Sequence, residues 1–165
     1  IVAPMDVLDV GRMAVFADDT GAAFSVWQAG THPGAERVNE PGTLCWNELN
    51  TRRADEAKAF YSAVFGWTSQ TDESPQMTYT QWYLDGEVVG GMMHIGPQFP
   101  PEVPNHWLAY FAVEDTDATV ARATELGGSV MMPPLDIEPG RFAVLADHAG
   151  ATFAVIKLAS GVGQG

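Results

Sequence analysis

The stretch GRMAVFADDTGAAFSVW, Gly11 to Trp27, returns near the other end of the chain as GRFAVLADHAGATFAVI, beginning at Gly140. The two align without a gap at an offset of 129 residues, and the match extends over 1–29 against 130–158. Eleven positions are identical: Pro4, Gly11, Arg12, Ala14, Val15, Ala17, Asp18, Gly21, Ala22, Phe24 and Val26. Self-similarity on this scale marks a duplicated unit, and the offset suits a small domain rather than a solenoid repeat of about 20–50 residues. Residues 1–29 therefore read as the terminal hairpin of a preceding, mostly absent module. A complete second module follows.

A breaker-rich stretch, AGTHPGAERVNEPG, separates the two, so 30–42 reads as a linker. Beyond it, TLCWNELN (Thr43 to Asn50) has the character of a strand. TRRADEAKAFYSAVFGW then sets Ala57, Phe60, Tyr61, Val64 and Phe65 at helical spacing, with Thr51 as the expected cap and Gly66 as the stop. MTYTQWYLDGEVVGGMMHI gives two strands about Asp85-Gly86, a strong hairpin signal. A second breaker, PQFPPEVPN, precedes a restart: strand HWLAYFAVED, helix DTDATVARATELGG with Ala118, Val120, Ala121 and Leu126 on its apolar side, and hairpin RFAVLADHAGATFAVIKL. One short strand is expected after each helix, near 67–71 and 129–132. The prediction is an α+β module over 43–159, built from two βαβββ units at 43–96 and 105–159, with a tail at 160–165.

Composition bounds the function. A chain of 165 residues that is 46% hydrophobic, with Trp 5 and Phe 8, can fill one core. The net charge of -13 opposes an electrostatic footprint on nucleic acid or on an anionic membrane surface. Cys45 stands alone, so no internal disulfide forms, and no apolar run reaches transmembrane length. A cytoplasmic setting is the default expectation.

The segment AFYSAVFGW and the DxxGxxFxV hairpins at Asp18 and Asp147 resemble the vicinal oxygen chelate superfamily, which includes glyoxalase I, bleomycin-resistance proteins and extradiol dioxygenases. The resemblance is closest to tandem-module, glyoxalase-like members. It implies paired βαβββ units forming a curved mixed sheet around a cleft, with helices on the outer face and modules paired within a chain or as a homodimer. In metal-dependent members, four His, Glu or Gln ligands point into the cleft, two from first strands and two from last strands.

Carried onto this sequence, those ligand positions fall on Trp46, Leu108, Gly90 and Ala154, with Ser25 as the equivalent in residues 1–29. None of these side chains binds a divalent metal, which needs imidazole, carboxylate or thiolate. No cofactor is therefore expected. Neighbours two or four residues away share a strand face, so a displaced zinc or iron site of Glu48, His94 and His106 is the alternative. His32, in the linker, and His148, in a turn, are given no role.

What remains is a cleft lined by Trp46, Glu48, Val88, Gly90, Met92, His94, His106, Leu108, Tyr110 and Ala154. That mixture suits a small, partly apolar organic ligand, although Trp46 and Tyr110 would serve equally as core and Met92 as a gap filler. Glu48 is the candidate catalytic residue, as a general base on a carbon acid, or else the partner of His106. Arg12 and Arg141 read as structural, each meeting a nearby carboxylate. Three functions stay open: a metal-free binding protein of the bleomycin-resistance type, a glyoxalase-like lyase, isomerase or hydroxylase working through Glu48 and the histidines, and a structural or interaction role in which the cleft is plugged and the acidic surface contacts partners.

Overall fold

The computed structural model describes residues 1–74 and 77–159; the expected tail at 160–165 lies outside them. The strands are β1 (Val2–Val7), β2 (Gly11–Ala17), β3 (Ala23–Ala29), β4 (Leu44–Thr51), β5 (Thr68–Glu73), β6 (Thr78–Leu84), β7 (Glu87–His94), β8 (His106–Ala112), β9 (Ser129–Ile137), β10 (Gly140–Ala146) and β11 (Thr152–Leu158). The helices are α1 (Ala54–Phe65) and α2 (Thr116–Glu125). The order β4-α1-β5-β6-β7 and then β8-α2-β9-β10-β11 is βαβββ twice. The fold is α+β with mixed sheets, as the sequence predicts.

Residues 1–29 form more than a hairpin. They build a three-stranded antiparallel sheet in the order β1-β2-β3. The repeat offset carries β2 onto β10 and β3 onto β11 residue for residue, and β1 onto the body of β9. The sequence hides β1 because VAPMDV holds one repeat identity, contains a proline and exposes nearly every side chain.

The chain divides into two compact units, residues 1–36 with 47–107, and residues 37–46 with those from 108 onward. In the first, strands run β5-β6-β7-β4, antiparallel until the parallel β7/β4 pair. The order in the second is β9-β10-β11-β8, again closed by a parallel pair. Asp85 and Gly86 both take positive φ, the requirement of a two-residue turn between β6 and β7.

Both helices begin or face differently from the sequence reading. Thr51 does not cap α1: it still pairs with His94 as the last residue of β4, and Arg53 takes the N-cap position without a side-chain cap bond. Gly66 ends the helix in the left-handed conformation, as expected. In α2, Val120 packs on Ala143, Leu145 and Val155 as expected, but Ala123 joins it there and Leu126 is exposed. Thr116 sets that rotation, since its hydroxyl donates to Arg141 O at 2.6 Å and accepts from Lys157 N at 3.1 Å.

The first unit is organised around buried Tyr61. Its hydroxyl donates to Asp18 Oδ2 at 2.9 Å and accepts from Trp107 Nε1 at 2.8 Å. Asp18 Oδ1 meanwhile accepts from Thr20 N, Thr20 Oγ1 and Ala22 N. Phe24, Phe65, Trp67 and Trp82 surround the phenol ring. Burial first, then the Asp18 bond and charge, raise the Tyr61 pKa, so the group stays a proton donor. Arg53 and Asn105 also bond the turn, donating to Asp19 O and Thr20 O. The β2–β3 turn is thereby fastened to α1.

Tyr61→Phe should cost about 1–2 kcal/mol, and Asp18→Ala, which strands several buried donors, about 3 kcal/mol. Urea unfolding measures both; a loss for Asp18→Ala no greater than for exposed Asp19→Ala would contradict the account. A second expectation concerns acid. Asp117 accepts two bonds from Arg141, at 2.7 and 2.9 Å, which hold its carboxyl below the usual range. Its contribution is therefore present above the ordinary carboxylate pKa of about 3.9 and is lost as pH falls through the lower folded value. Asp117→Asn should flatten the acid limb of melting temperature against pH, and an unaltered limb would be the contrary result.

Candidate functional site

Alternation along the strands of the first unit sorts side chains onto two faces. Leu49 of β4, Trp82 of β6 and Met92 of β7 share a buried cluster with Ala57 and Tyr61 of α1. Their neighbours therefore face the other way: Glu48 and Asn50 on β4, Gly91 and Met93 on β7, Gln81 and Tyr83 on β6. Cross-strand register sets Gln70, Gln81, Gly91 and Glu48 in one row. Glu48 is only 5% exposed. Buried Asn50 donates from Nδ2 to Glu48 Oε1 at 3.2 Å, and Tyr83 donates to Gln81 Oε1 at 2.8 Å. Opposite Glu48 on β7 stands Gly91, so β7 contributes no side chain at that position.

This row corrects the sequence expectation for β7. Trp82 pairs with Gly90 but Tyr83 pairs with Val88, so Val89 is an extra residue in the ladder. One inserted residue exchanges the two faces of a strand. Counting from Gly86 without the bulge selects Gly90 and Met92, yet both belong to the helix side: Met92 lies in the α1 cluster, and a Cβ on Gly90 would approach Trp82 and Trp107. Gly91 and Met93 are the residues beside Glu48. Val88 lies at the exposed start of the strand.

The histidines do not join the carboxylate. His94 ends β7, exposed, beside Thr51. His106 starts β8, its Nδ1 at 2.9 Å from Pro104 O. Among the described residues, no three His, Cys, Asp or Glu side chains are placed to hold a metal ion. A lone carboxylate beside carboxamides is a poor donor set for zinc or iron, which favour imidazole and thiolate. The displaced set of Glu48, His94 and His106 is not assembled.

In the second unit the structure does bring together four of the expected residues. Trp46, Leu108, Tyr110 and Ala154 share an apolar cluster with Phe142 and Ile156, on the face opposite the α2 cluster. Tyr110 and Phe142 lie 6.1 Å apart, tilted by 30°. Cys45 belongs to this cluster and donates to Tyr110 O at 3.4 Å; burial pushes its thiol pKa up to about 11. A thiol so shifted is a poor nucleophile near neutral pH.

Sequence reasoning missed Asn50, Gln81 and Tyr83, and did not single out Gly91 from Gly90 as the residue beside Glu48. Asn50 follows from Glu48 by period 2 alone. The others require the bulge and the cross-strand register, for which the only local hint is the pair Gly90-Gly91.

The comparisons with known proteins agree with this architecture. Residues 46–156 match the family model described as a glyoxalase-like domain. The chain is 50% identical over 154 residues to "Putative glyoxylase CFP32" of Mycobacterium bovis, covering 92% of this chain and 58% of that protein. It is 45% identical over 161 residues to the anthracycline biosynthesis protein DnrV of Streptomyces peucetius, covering 98% of this chain and again 58% of the relative. The chain thus spans under two thirds of the length of these relatives. Among solved structures, a Streptomyces coelicolor methylmalonyl-CoA epimerase in complex with 2-nitronate-propionyl-CoA shares the fold, with TM-score 0.54 at 16% identity over 73% of this chain and 97% of that one. By sequence, the chain belongs to the glyoxalase-like domain family.

Proposed function

We propose that the chain binds a small, partly apolar, oxygen-bearing organic molecule at the sheet face centred on Glu48, and that no metal ion mediates the contact. The observation that carries this reading is the buried Glu48 carboxylate, bonded to Asn50 and set across from a glycine. Burying a carboxylate costs several kcal/mol of lost hydration. Each ionised carboxylate oxygen accepts more than one hydrogen bond, so a hydroxyl or enol of a ligand can donate to Glu48 beside Asn50. The carboxamides of Asn50 and Gln81 can donate to a carbonyl, while Met93 supplies apolar contact. The names of relatives involved in anthracycline biosynthesis favour a planar, aromatic, oxygenated ligand.

A hydroxyanthraquinone titrated against the intrinsic tryptophan fluorescence is the direct test. Glu48→Gln keeps the shape of the side chain and removes its charge, and should weaken binding at least tenfold, the scale of one charged hydrogen bond. Equal affinity in the wild type and the variant, with unchanged circular dichroism, would refute the proposed site.

The same buried carboxylate favours a second reading, in which Glu48 takes a proton from carbon next to a carbonyl and returns it. Bound ketone incubated in deuterium oxide would then gain deuterium at that carbon with the wild type and not with Glu48→Gln. Absence of exchange with the wild type, despite binding, leaves the binding function standing and removes the catalytic one.

A further inference from the structure

Each carboxamide beside Glu48 is turned by a bond along its own strand. On β4, Asn50 donates from Nδ2 to Glu48 Oε1 at 3.2 Å. On β6, across the same two-residue step, the Tyr83 hydroxyl donates to Gln81 Oε1 at 2.8 Å. A carboxamide accepts through its oxygen and donates through its nitrogen. With the oxygen engaged by Tyr83, Gln81 presents Nε2 and its N–H donors to the rest of the face. A carboxylate such as that of Glu48 only accepts. The two strands therefore carry opposite polarity, with β6 as the donor side and β4 as the acceptor side.

Between the two poles runs β7, whose residue in register with both is Gly91. From the β5 edge the row reads Gln70, Gln81, Gly91, Glu48. Exposure falls along it: Gln70 is exposed, Gln81 half-buried and Glu48 buried. The open end of the row is therefore at β5. In the adjoining row, Met93 stands opposite both Tyr79 and Asn50, which sets an apolar side chain next to Gly91 on the same face. Two strand spacings hold the Gln81 and Glu48 backbones about 9–10 Å apart. A hydrogen bond of about 3 Å is needed at each end. One small molecule reaches both poles only if its acceptor and its hydroxyl lie well apart.

We infer, on the basis of the binding site proposed above, that Tyr83 is a positioning residue that sets the polarity of that site, and that the ligand it selects is a ring carrying a phenol and a carbonyl on opposite edges. The phenol donates to Glu48 and the carbonyl accepts from Gln81. A hydroxyl ortho to its carbonyl fails on both counts, because it donates to its own carbonyl and spans too little of the row. An alcohol in place of the carbonyl offers Gln81 a poorer acceptor. Without the Tyr83 hydroxyl, the Gln81 carboxamide turns freely and meets a carbonyl with nitrogen or an alcohol with oxygen. Tyr83 thus acts through Gln81, and what it controls is the choice between ketone and alcohol.

Three probes test this: para-hydroxyacetophenone, its ortho isomer, and the para alcohol obtained by reducing the ketone. Each is titrated into the chain and followed by the NMR shifts of backbone amides and tryptophan indoles. The para ketone should bind the wild type about tenfold more tightly than the ortho isomer and about threefold more tightly than the alcohol, the scales of one charged and one neutral hydrogen bond. Tyr83→Phe, with unchanged circular dichroism, should bring ketone and alcohol to nearly equal affinity while the preference for para over ortho persists. A Tyr83 that only supports the fold would instead weaken all three probes by one factor and leave their ratios intact, which would overturn the inference. Equal wild-type affinity for the three, still weakened by Glu48→Gln, would leave the site standing and overturn the assigned polarity. No binding of any probe would remove the site and the polarity together.

Discussion

The hydrogen bond from Tyr61 to Asp18 decides how the first unit is assembled. A phenol at the centre of an aromatic cluster must find a partner for its hydroxyl, because an unpaired buried polar group costs more than the bond itself returns. Asp18 supplies the acceptor and Trp107 the donor, so three distant stretches of chain meet at one oxygen. The Asp18 carboxylate is satisfied in turn by the backbone of its own turn. What brings the β1–β3 sheet against α1 is thus a pair of polar groups whose burial is tolerable only together.

The same turn has a second fate in the other copy. Asp147 repeats the backbone bonds, accepting from Ala149 N and Ala151 N, which with its other turn contacts hold its carboxyl below the usual range. Asp18 is buried against a tyrosine, whereas Asp147 is only partly buried. One local motif therefore specifies one local conformation, and the tertiary partner decides whether its side chain becomes core. This is why the repeat was legible in the sequence while its docking was not. Alternation, helical spacing and the Asp85-Gly86 turn identify both βαβββ runs, because each is a local signal. β1 escaped, since a strand held only by its neighbour's backbone needs no apolar pattern.

The candidate site shows the same division. Glu48 stood out as a carboxylate inside an apolar strand, and its burial with Asn50 follows the period of that strand. The partners on β7 did not follow, because a single bulged residue, Val89, reverses the phase of Gly90, Gly91, Met92 and Met93 relative to the turn from which they are counted. In unit two, where β10 and β11 pair without a bulge, Ala154 fell on the expected face beside Tyr110. Residue type was readable throughout; side-chain direction was readable only where the ladder is regular.

The bulge also sets which side chains each face of β7 carries. Were β7 regular from the Asp85-Gly86 turn, Gly90 would stand opposite Gln81 and Glu48, Met92 would turn away from the α1 cluster, and Gly91 would leave a gap beneath α1. With the bulge, Met92 fills the helix-side core next to Leu49, and Gly91 lies opposite Glu48. A buried carboxylate can be retained only if its lone pairs are met by donors. Asn50 is one donor to Glu48, and β7 presents Gly91 at the position across the ladder. One inserted residue therefore decides both which side chains of β7 pack beneath α1 and which lie beside Glu48.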